Sequence, residues 1–166
     1  MAFGSAAGRG VNTSPRARGL RHLTDVRTMG RPYGRPMGYD DLKQRQSVMW
    51  GAGPYQRITE TLTDIHEHVI ARLAPHPGQH WLDLACGTGA VAERAAARGA
   101  WVTGIDLAPA LIDTARERAD ASSLDIDYRV GDCETLDVPD ARFDAVSSTC
   151  GVMFSPDHKA TARELA

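Results

Sequence analysis

Trp81-Leu-Asp-Leu-Ala-Cys-Gly-Thr-Gly-Ala-Val-Ala92 decides the fold, because an apolar run leads directly into two closely spaced glycines. This pattern predicts a buried strand, a glycine turn and the start of a helix. Asp106 follows the first glycine, Gly87, by 19 residues and ends a second apolar run. An acidic residue at that distance can accept hydrogen bonds from ribose hydroxyls. The pairing favours an enzyme with a nucleotide-type cofactor, built on a Rossmann-like α/β domain.

Strands and helices alternate along the rest of the sequence. Strands are predicted at residues 81–85, 101–105, 126–130 and 143–148, and helices at 90–98, 109–121 and from 156 onward. This alternation indicates parallel β-α-β units with flanking helices. Ligands of such sheets bind at the carboxyl ends of the strands. The residues predicted at those ends are Gly87, Gly89, Asp106, Asp132 and Thr149.

Upstream of the first strand, residues 37–55 are predicted to be a turn-rich segment that carries Trp50. Apolar residues at helical spacing then predict one helix over residues 55–74. Downstream, only four strands are predicted, so residues 143–148 form a sheet edge with unpaired backbone groups. We therefore expect residues 37–166 to be the N-terminal portion of a longer domain. The open strand favours a homodimer or a missing C-terminal complement.

Residues 1–36 differ in composition from the rest of the chain and are expected to be a disordered N-terminal extension. They contain seven arginines and one acidic residue, a charge of +6. The segment fits a basic arm, a transit peptide or an over-extended translation start, and the last is favoured because an amphipathic pattern begins only near Tyr39. The whole chain carries −2, so the remaining residues carry −8. That acidic body argues against a nucleic-acid partner.

The three cysteines form no C-x-x-C pair, and their odd number suits a reducing compartment, so a cytoplasmic location is expected. No clustered ligands with zinc-like spacing occur, and no metal is predicted. No apolar run approaches the ~20 residues of a membrane span. Trp81 and Trp101 are expected to pack against helices, and Met153 and Phe154 are expected in the core.

Four pieces of the sequence together resemble the class I S-adenosylmethionine-dependent methyltransferases, in particular the small-molecule branch typified by ubiquinone and menaquinone biosynthesis methyltransferases. They are Leu82-Asp-Leu-Ala-Cys-Gly-Thr-Gly89, Val102-Thr-Gly-Ile-Asp-Leu107, Gly131-Asp-Cys-Glu134 and Phe143-Asp-Ala-Val146. The resemblance covers about residues 45–166. It implies S-adenosyl-L-methionine as cofactor and methyl transfer to a small-molecule acceptor by direct displacement.

The resemblance implies a set of cofactor-binding residues, namely Asp83, Ala85, Gly87, Thr88, Gly89, Asp106, Leu107, Asp132, Cys133 and Thr149. In it, Gly87 and Gly89 pass close to the methionine part, and Asp83 orders the turn and, through water, the amino group. Asp106 holds the ribose hydroxyls, and Leu107 lies against the adenine. Asp132 accepts from the adenine amino group, the Cys133 backbone meets a ring nitrogen, and Thr149 lies near the methionine part. Trp50 and Tyr55 resemble an aromatic segment that covers the cofactor, and no catalytic base is identified.

Two alternatives stay open. Gly87-Thr-Gly-Ala-Val-Ala92 also satisfies G-x-G-x-x-A, a form of the dinucleotide fingerprint, so an NAD(P)-dependent oxidoreductase is possible. Asp83 inside the strand and the lack of a Tyr-x-x-x-Lys pair argue against it. The other alternative is a truncated, non-catalytic fragment that binds S-adenosyl-L-methionine.

Overall fold

The structure is a computed structural model that describes residues 38–166, so the expectations for residues 1–36 lie outside the described residues. The helices are α1 (Tyr39–Gly51), α2 (Tyr55–Thr61), α3 (Thr63–Leu73), α4 (Ala90–Ala96), α5 (Pro109–Ala121) and α6 (His158–Glu164). The strands are β1 (His80–Leu84), β2 (Trp101–Asp106), β3 (Ile126–Val130) and β4 (Ala145–Ser147).

The four strands form one parallel sheet in the order β3-β2-β1-β4. The predicted Rossmann-like α/β fold with a parallel sheet is therefore confirmed. Among the described residues β4 pairs with β1 alone, which makes it an edge strand, as expected. It is shorter than predicted, with three residues instead of the six of residues 143–148. All four carboxyl ends meet at one edge of the sheet, where a ligand of such a fold binds.

The central strand β1 is buried on both faces of the sheet, as its nearly continuous apolar sequence predicts. Successive side chains alternate between the faces. Trp81 packs among residues of α3, α4 and α5, whereas Leu82 and Leu84 pack with Ile105 in a smaller cluster on the other face. The indole N–H of Trp81 donates to Ser147 Oγ at 2.8 Å, so its one polar atom is satisfied inside the core.

The region after β1 follows the sequence closely. Helix α5 and strand β3 have the predicted bounds, and Pro109 occupies the first turn of α5, where its missing N–H costs nothing. Helix α4 ends at Ala96, two residues before the predicted end. The chain leaves it through Gly99 at φ 89°, the left-handed conformation that favours glycine there.

The prediction of one helix over residues 55–74 is wrong, because the helix is interrupted at Leu62. Three threonine hydroxyls bond to backbone carbonyls one turn earlier: Thr59 to Tyr55, Thr61 to Ile58 and Thr63 to Glu60. Such hydroxyls compete with the helical hydrogen bonds and bend helices. The alternating threonines, which the apolar pattern ignores, account for the break.

The turn-rich prediction for residues 37–55 is also wrong, since residues 39–51 form helix α1. Asp40 and Asp41 lie in its first turn, where negative charge favours a helix, and strong helix formers follow them. No residue of α1 is buried. An apolar pattern cannot reveal such a helix, because polar side chains hold it to the rest of the protein.

Trp101 does not pack against a helix, contrary to expectation. It is the first residue of β2, is 63% exposed, and meets the His80 ring edge to face at 4.8 Å. The buried part of β2 begins only at Val102. The position of Trp101 at the start of the strand therefore leaves its indole in solvent.

Candidate functional site

A cleft opens at the carboxyl edge of the sheet and encloses about 650 Å³, counted out to its open mouth. It lies under α1 and between the ends of β1, β2 and β3. Five of the ten predicted cofactor residues line it: Ala85, Asp106, Leu107, Asp132 and Cys133. The other five, Asp83, Gly87, Thr88, Gly89 and Thr149, lie in or beside the elements that shape it.

Asp106 is the buried carboxylate at the end of β2, only 8% exposed. Its Oδ2 accepts the N–H of Gly87 at 2.8 Å and its Oδ1 accepts the N–H of Ala108 at 2.9 Å. Burial raises the pKa of Asp106, and these backbone N–H groups partly offset the rise. A carboxylate has about four acceptor sites, so Asp106, which lines the cleft, keeps acceptor capacity for a ligand hydroxyl.

The turn after β1 holds three residues in the left-handed region, with φ of 53° at Ala85, 57° at Gly87 and 85° at Gly89. A Cβ on Gly87 would lie 3.0 Å from the Tyr55 ring, and a Cβ on Gly89 would lie 2.1 Å from the Tyr128 hydroxyl oxygen. Backbone conformation favours glycine at both positions, and at Gly89 the space beside Tyr128 excludes a Cβ as well unless the ring moves. The turn is packed between two aromatic rings, which fixes its shape at the cleft.

Asp83 lies beneath this turn and is only 2% exposed. Its Oδ2 accepts the N–H of Ala92 in the first turn of α4 at 3.1 Å, and its Oδ1 accepts the hydroxyl of Ser147 at 2.9 Å. Burial raises the pKa of Asp83 to about 7, although both hydrogen bonds act in the other direction. Asp83 thus links β1, β4 and α4, and it does not line the cleft. Its predicted water-mediated contact with the cofactor stays a prediction.

Two threonines from the predicted set are buried beside the cleft. Thr88 donates to Gln56 Oε1 at 3.0 Å and so ties the glycine turn to α2. The hydroxyl of Thr149 is buried and has no hydrogen-bond partner within residues 38–166. Its neighbour Cys150 lines the cleft. Thr149 itself does not line the cleft, so its predicted place near the methionine part stays a prediction.

Lys43 of α1 forms ion pairs with both Asp132 and Glu134. The sequence did not predict Lys43 as a site residue. The Lys43 ammonium lies 2.7 Å from Asp132 Oδ2 and 3.0 Å from Glu134 Oε2. The hydrogen bond to Asp132 is the main reason why the pKa of Lys43 is raised. Lys43 is about 90 residues away from both acids in sequence, so no local motif could have shown this contact.

Three aromatic side chains line the cleft beneath α1. Trp50 meets the Tyr55 ring at 6.0 Å and the Phe154 ring at 5.0 Å. Trp50 and Tyr55 line the cleft, and their role as an aromatic cover over the cofactor, which the resemblance implies, stays a prediction. Phe154, expected in the core, is instead 44% exposed and lines the cleft, while Met153 is 64% exposed. Residues 152–154 form a single short turn of 3₁₀ helix at the surface, which explains both exposures.

The cleft combines apolar side chains with carboxylates. Ile105 of β2, Leu107 just after β2 and Leu111 of α5 line the cleft together with two carboxylates, Asp106 and Asp132. Flat apolar walls suit a base, and carboxylates suit hydroxyl and amino donors. Within residues 38–166, no three His, Cys, Asp or Glu side chains are grouped so that they could hold a metal ion.

Comparison with known proteins shows the family of the chain. A family model described as a methyltransferase domain matches residues 82–166, just over half of the chain. The ubiquinone biosynthesis O-methyltransferase of Xanthomonas axonopodis pv. citri is 41% identical over 121 residues, covering 70% of this chain and 49% of that protein. The malonyl-[acyl-carrier protein] O-methyltransferase of Serratia marcescens is 36% identical over 114 residues, covering 69% and 43%.

A solved structure supports the fold. The TehB-like SAM-dependent methyltransferase of Corynebacterium glutamicum superposes with a TM-score of 0.53 at 22% identity, over 67% of this chain and 62% of that one. The chain belongs to the methyltransferase domain family, as the resemblance of its four sequence pieces indicated. It spans less than half the length of the two curated relatives. The family match favours the methyltransferase interpretation over the NAD(P)-dependent oxidoreductase.

Proposed function

We propose that the cleft binds S-adenosyl-L-methionine and that the protein transfers its methyl group to a small-molecule acceptor. The observation that carries this proposal is Asp106, a buried carboxylate that is anchored to the glycine turn and lines the cleft. The hydrogen bond to Gly87 joins Asp106, the residue predicted to bind the ribose, to the glycine turn. That is the arrangement expected of a site for a ribose-containing cofactor.

The residues present fit this cofactor along its whole length. Asp106 would hold the ribose hydroxyls, and Leu107 and Ile105 would contact the adenine. Asp132 would accept from the adenine amino group, with the Cys133 backbone beside it. The buried, unpartnered hydroxyl of Thr149 suits the polar methionine end. When bound, S-adenosyl-L-methionine supplies a sulfonium methyl group as the electrophile.

The chain's own contribution to the reaction would be positioning and exclusion of water. Helix α1 spans the cleft, and its Trp50 packs against Tyr55 and Phe154. The Tyr55 ring also lies against Gly87, so the aromatic cover and the glycine turn are in contact. We propose direct displacement, in which the acceptor's nucleophile attacks in line and its proton leaves to solvent or to a base outside the described residues. No described residue is assigned as that base.

The proposal also covers the methyl acceptor, the binding partners and the cellular location of the protein. Aromatic and apolar side chains at the mouth of the cleft favour a small organic acceptor over a nucleic acid. The open edge of β4 offers backbone groups for pairing with a second copy or with further strands. No helix between residues 38 and 166 is long and apolar enough to cross a membrane. We propose a cytoplasmic location from the unpaired cysteines.

Calorimetric titration of S-adenosylhomocysteine tests the binding step directly. We expect micromolar affinity for the chain and strongly reduced affinity for Asp106→Ala. Asp120→Ala removes a carboxylate from the exposed surface of α5 and serves as the matched control. Absence of binding to a chain that unfolds cooperatively would reject the proposal.

A further inference from the structure

Helix α1 is held across the cleft by polar side chains on one of its faces. Lys43, Gln46 and Ser47 are spaced three and four residues apart, which places them together on a helix. Gln46 donates to the Phe154 carbonyl at 2.9 Å, and Ser47 donates to the Leu107 carbonyl at 3.0 Å. Because α1 buries no residue, these contacts and Trp50 fix its position. Lys43 is the member of this set that carries charge.

The Lys43 side chain is partly buried, at 17% exposed, and its ammonium lies between two carboxylates. Its other acidic neighbour among the described residues is the fully exposed Asp40, at a longer distance of 3.7 Å. Glu134 is itself fixed, since its other oxygen accepts the Asp157 N–H at 2.7 Å and its side chain is 6% exposed. The ammonium is therefore held against an anchored carboxylate.

Within residues 38–166, two groups form hydrogen bonds with the Asp132 carboxylate. Its Oδ1 accepts the N–H of Glu134 at 2.9 Å, and its Oδ2 accepts from Lys43. Without Lys43, the carboxylates of Asp132 and Glu134 would repel one another, and Asp132, the more exposed of the two, would move. Lys43 thus determines where the Asp132 carboxylate lies in the cleft.

We infer that Lys43 is a positioning residue that orients Asp132 to recognise the 6-amino group of the adenine, and so makes the site selective for an adenosine cofactor. This inference rests on the proposed function. Asp132 keeps acceptor sites besides those taken by Lys43 and Glu134, so the ammonium and the amino group bind the same carboxylate together. The selectivity for adenine over a purine that lacks the amino group then depends on Lys43 of α1, a residue that lies outside the glycine turn and the strand ends.

The experiment compares two ligands by calorimetry: S-adenosylhomocysteine and its analogue with hydrogen in place of the 6-amino group. The readout is the dissociation constant of the analogue divided by that of S-adenosylhomocysteine. This ratio isolates the amino group, because a general loss of structure would weaken the binding of both ligands. We expect Lys43→Met to lose about tenfold in affinity for S-adenosylhomocysteine and to keep the affinity for the analogue within about twofold. Lys43→Arg, which retains a cation, is expected to keep most of the wild-type ratio.

Arg45→Met is the matched control, since Arg45 is exposed on the same helix and the substitution changes the net charge equally. We expect it to preserve the ratio. If the uncompensated Glu134 unfolds Lys43→Met, the double variant Lys43→Met/Glu134→Gln removes that charge, and its ratio is expected to fall in the same way. Circular dichroism melting identifies which variant is folded.

An unchanged ratio in the folded Lys43→Met or double variant would overturn the inference. Tighter binding of S-adenosylhomocysteine by that variant would also overturn it, because Lys43 would then compete with the cofactor for Asp132. The proposed function fails separately, if the wild-type chain binds neither ligand. A wild-type chain that binds both ligands equally would keep the cofactor site and reject the role of Asp132 and Lys43.

Discussion

Replacing Asp83 by asparagine is expected to make the protein more stable at neutral and alkaline pH. Asp83 is buried between β1, β4 and α4, and burial raises its pKa from 3.8 to about 7. The folded state therefore binds this proton more tightly than the unfolded state. By linkage, the favourable contribution of Asp83 to the free energy of unfolding is fully present below pH 3.8 and is lost as the pH rises through about 7.

A difference of about three pKa units corresponds to about 4 kcal/mol at 1.36 kcal/mol per unit. About 2.5 kcal/mol of this falls between pH 5 and pH 8, with the rest below pH 5. Asparagine fits the site, because its oxygen can accept the Ala92 N–H and its amide can donate to Ser147. Ser147 Oγ also lies 3.5 Å from the Leu82 carbonyl, to which its own proton can turn.

The assay is urea unfolding followed by circular dichroism at pH 5, 6, 7 and 8. The free energy of unfolding of Asp83→Asn relative to wild type should rise with pH by about 2.5 kcal/mol across this range. Asp120→Asn, an exposed carboxylate on α5, should show a nearly flat difference. A flat difference for Asp83→Asn as well would refute the reasoning, because Asp83 would then ionise alike in the folded and unfolded chain.

Two further predictions concern packing and a buried histidine. Gly89→Ala places a Cβ 2.1 Å from the Tyr128 hydroxyl at a residue whose φ is 85°. The free energy of unfolding in urea should therefore fall by about 2 kcal/mol or more, and by less in a Tyr128→Phe background. Equal losses in both backgrounds would contradict the packing argument. His66 is 5% exposed on α3, and burial lowers its pKa. Stability from keeping it neutral is present above its usual pKa of about 6.5 and is lost as the pH falls below that value. His66→Leu should therefore lose less stability than wild type between pH 7 and pH 5, and equal losses would exclude His66 as the cause.

The sequence was most informative where local chemistry and topology coincide. An apolar run followed by glycines predicts β1, the turn and α4, and the structure needs glycine there because both residues have positive φ and Gly89 lies against the Tyr128 ring. Parallel strands then bring Asp106 and Asp132 to the same edge although each is predicted separately. The fold class and the cleft's acidic residues could be predicted for this reason.

The parts that the sequence did not predict depend on contacts between distant residues. Helix α1 buries no residue, so the apolar pattern that begins near Tyr39 was too weak to predict a helix there. Lys43 acquires its role only because the fold places α1 beside Asp132 and Glu134. The break at Leu62 is a local effect, yet it arises from threonine hydroxyls and not from the apolar pattern. Polar side chains thus account for the differences within residues 39–74.

The central claim is that the cleft binds the adenosyl cofactor through Asp106, and titration of S-adenosylhomocysteine into wild type, Asp106→Ala and Asp120→Ala tests it most directly. Loss of a carboxylate that accepts two ribose hydroxyls should weaken binding at least tenfold, while Asp120→Ala should bind like wild type. Melting curves establish that each protein is folded. Micromolar binding that is lost only in Asp106→Ala is the result we predict. A folded wild-type chain that does not bind, or an Asp106→Ala variant that binds equally well, would contradict the account.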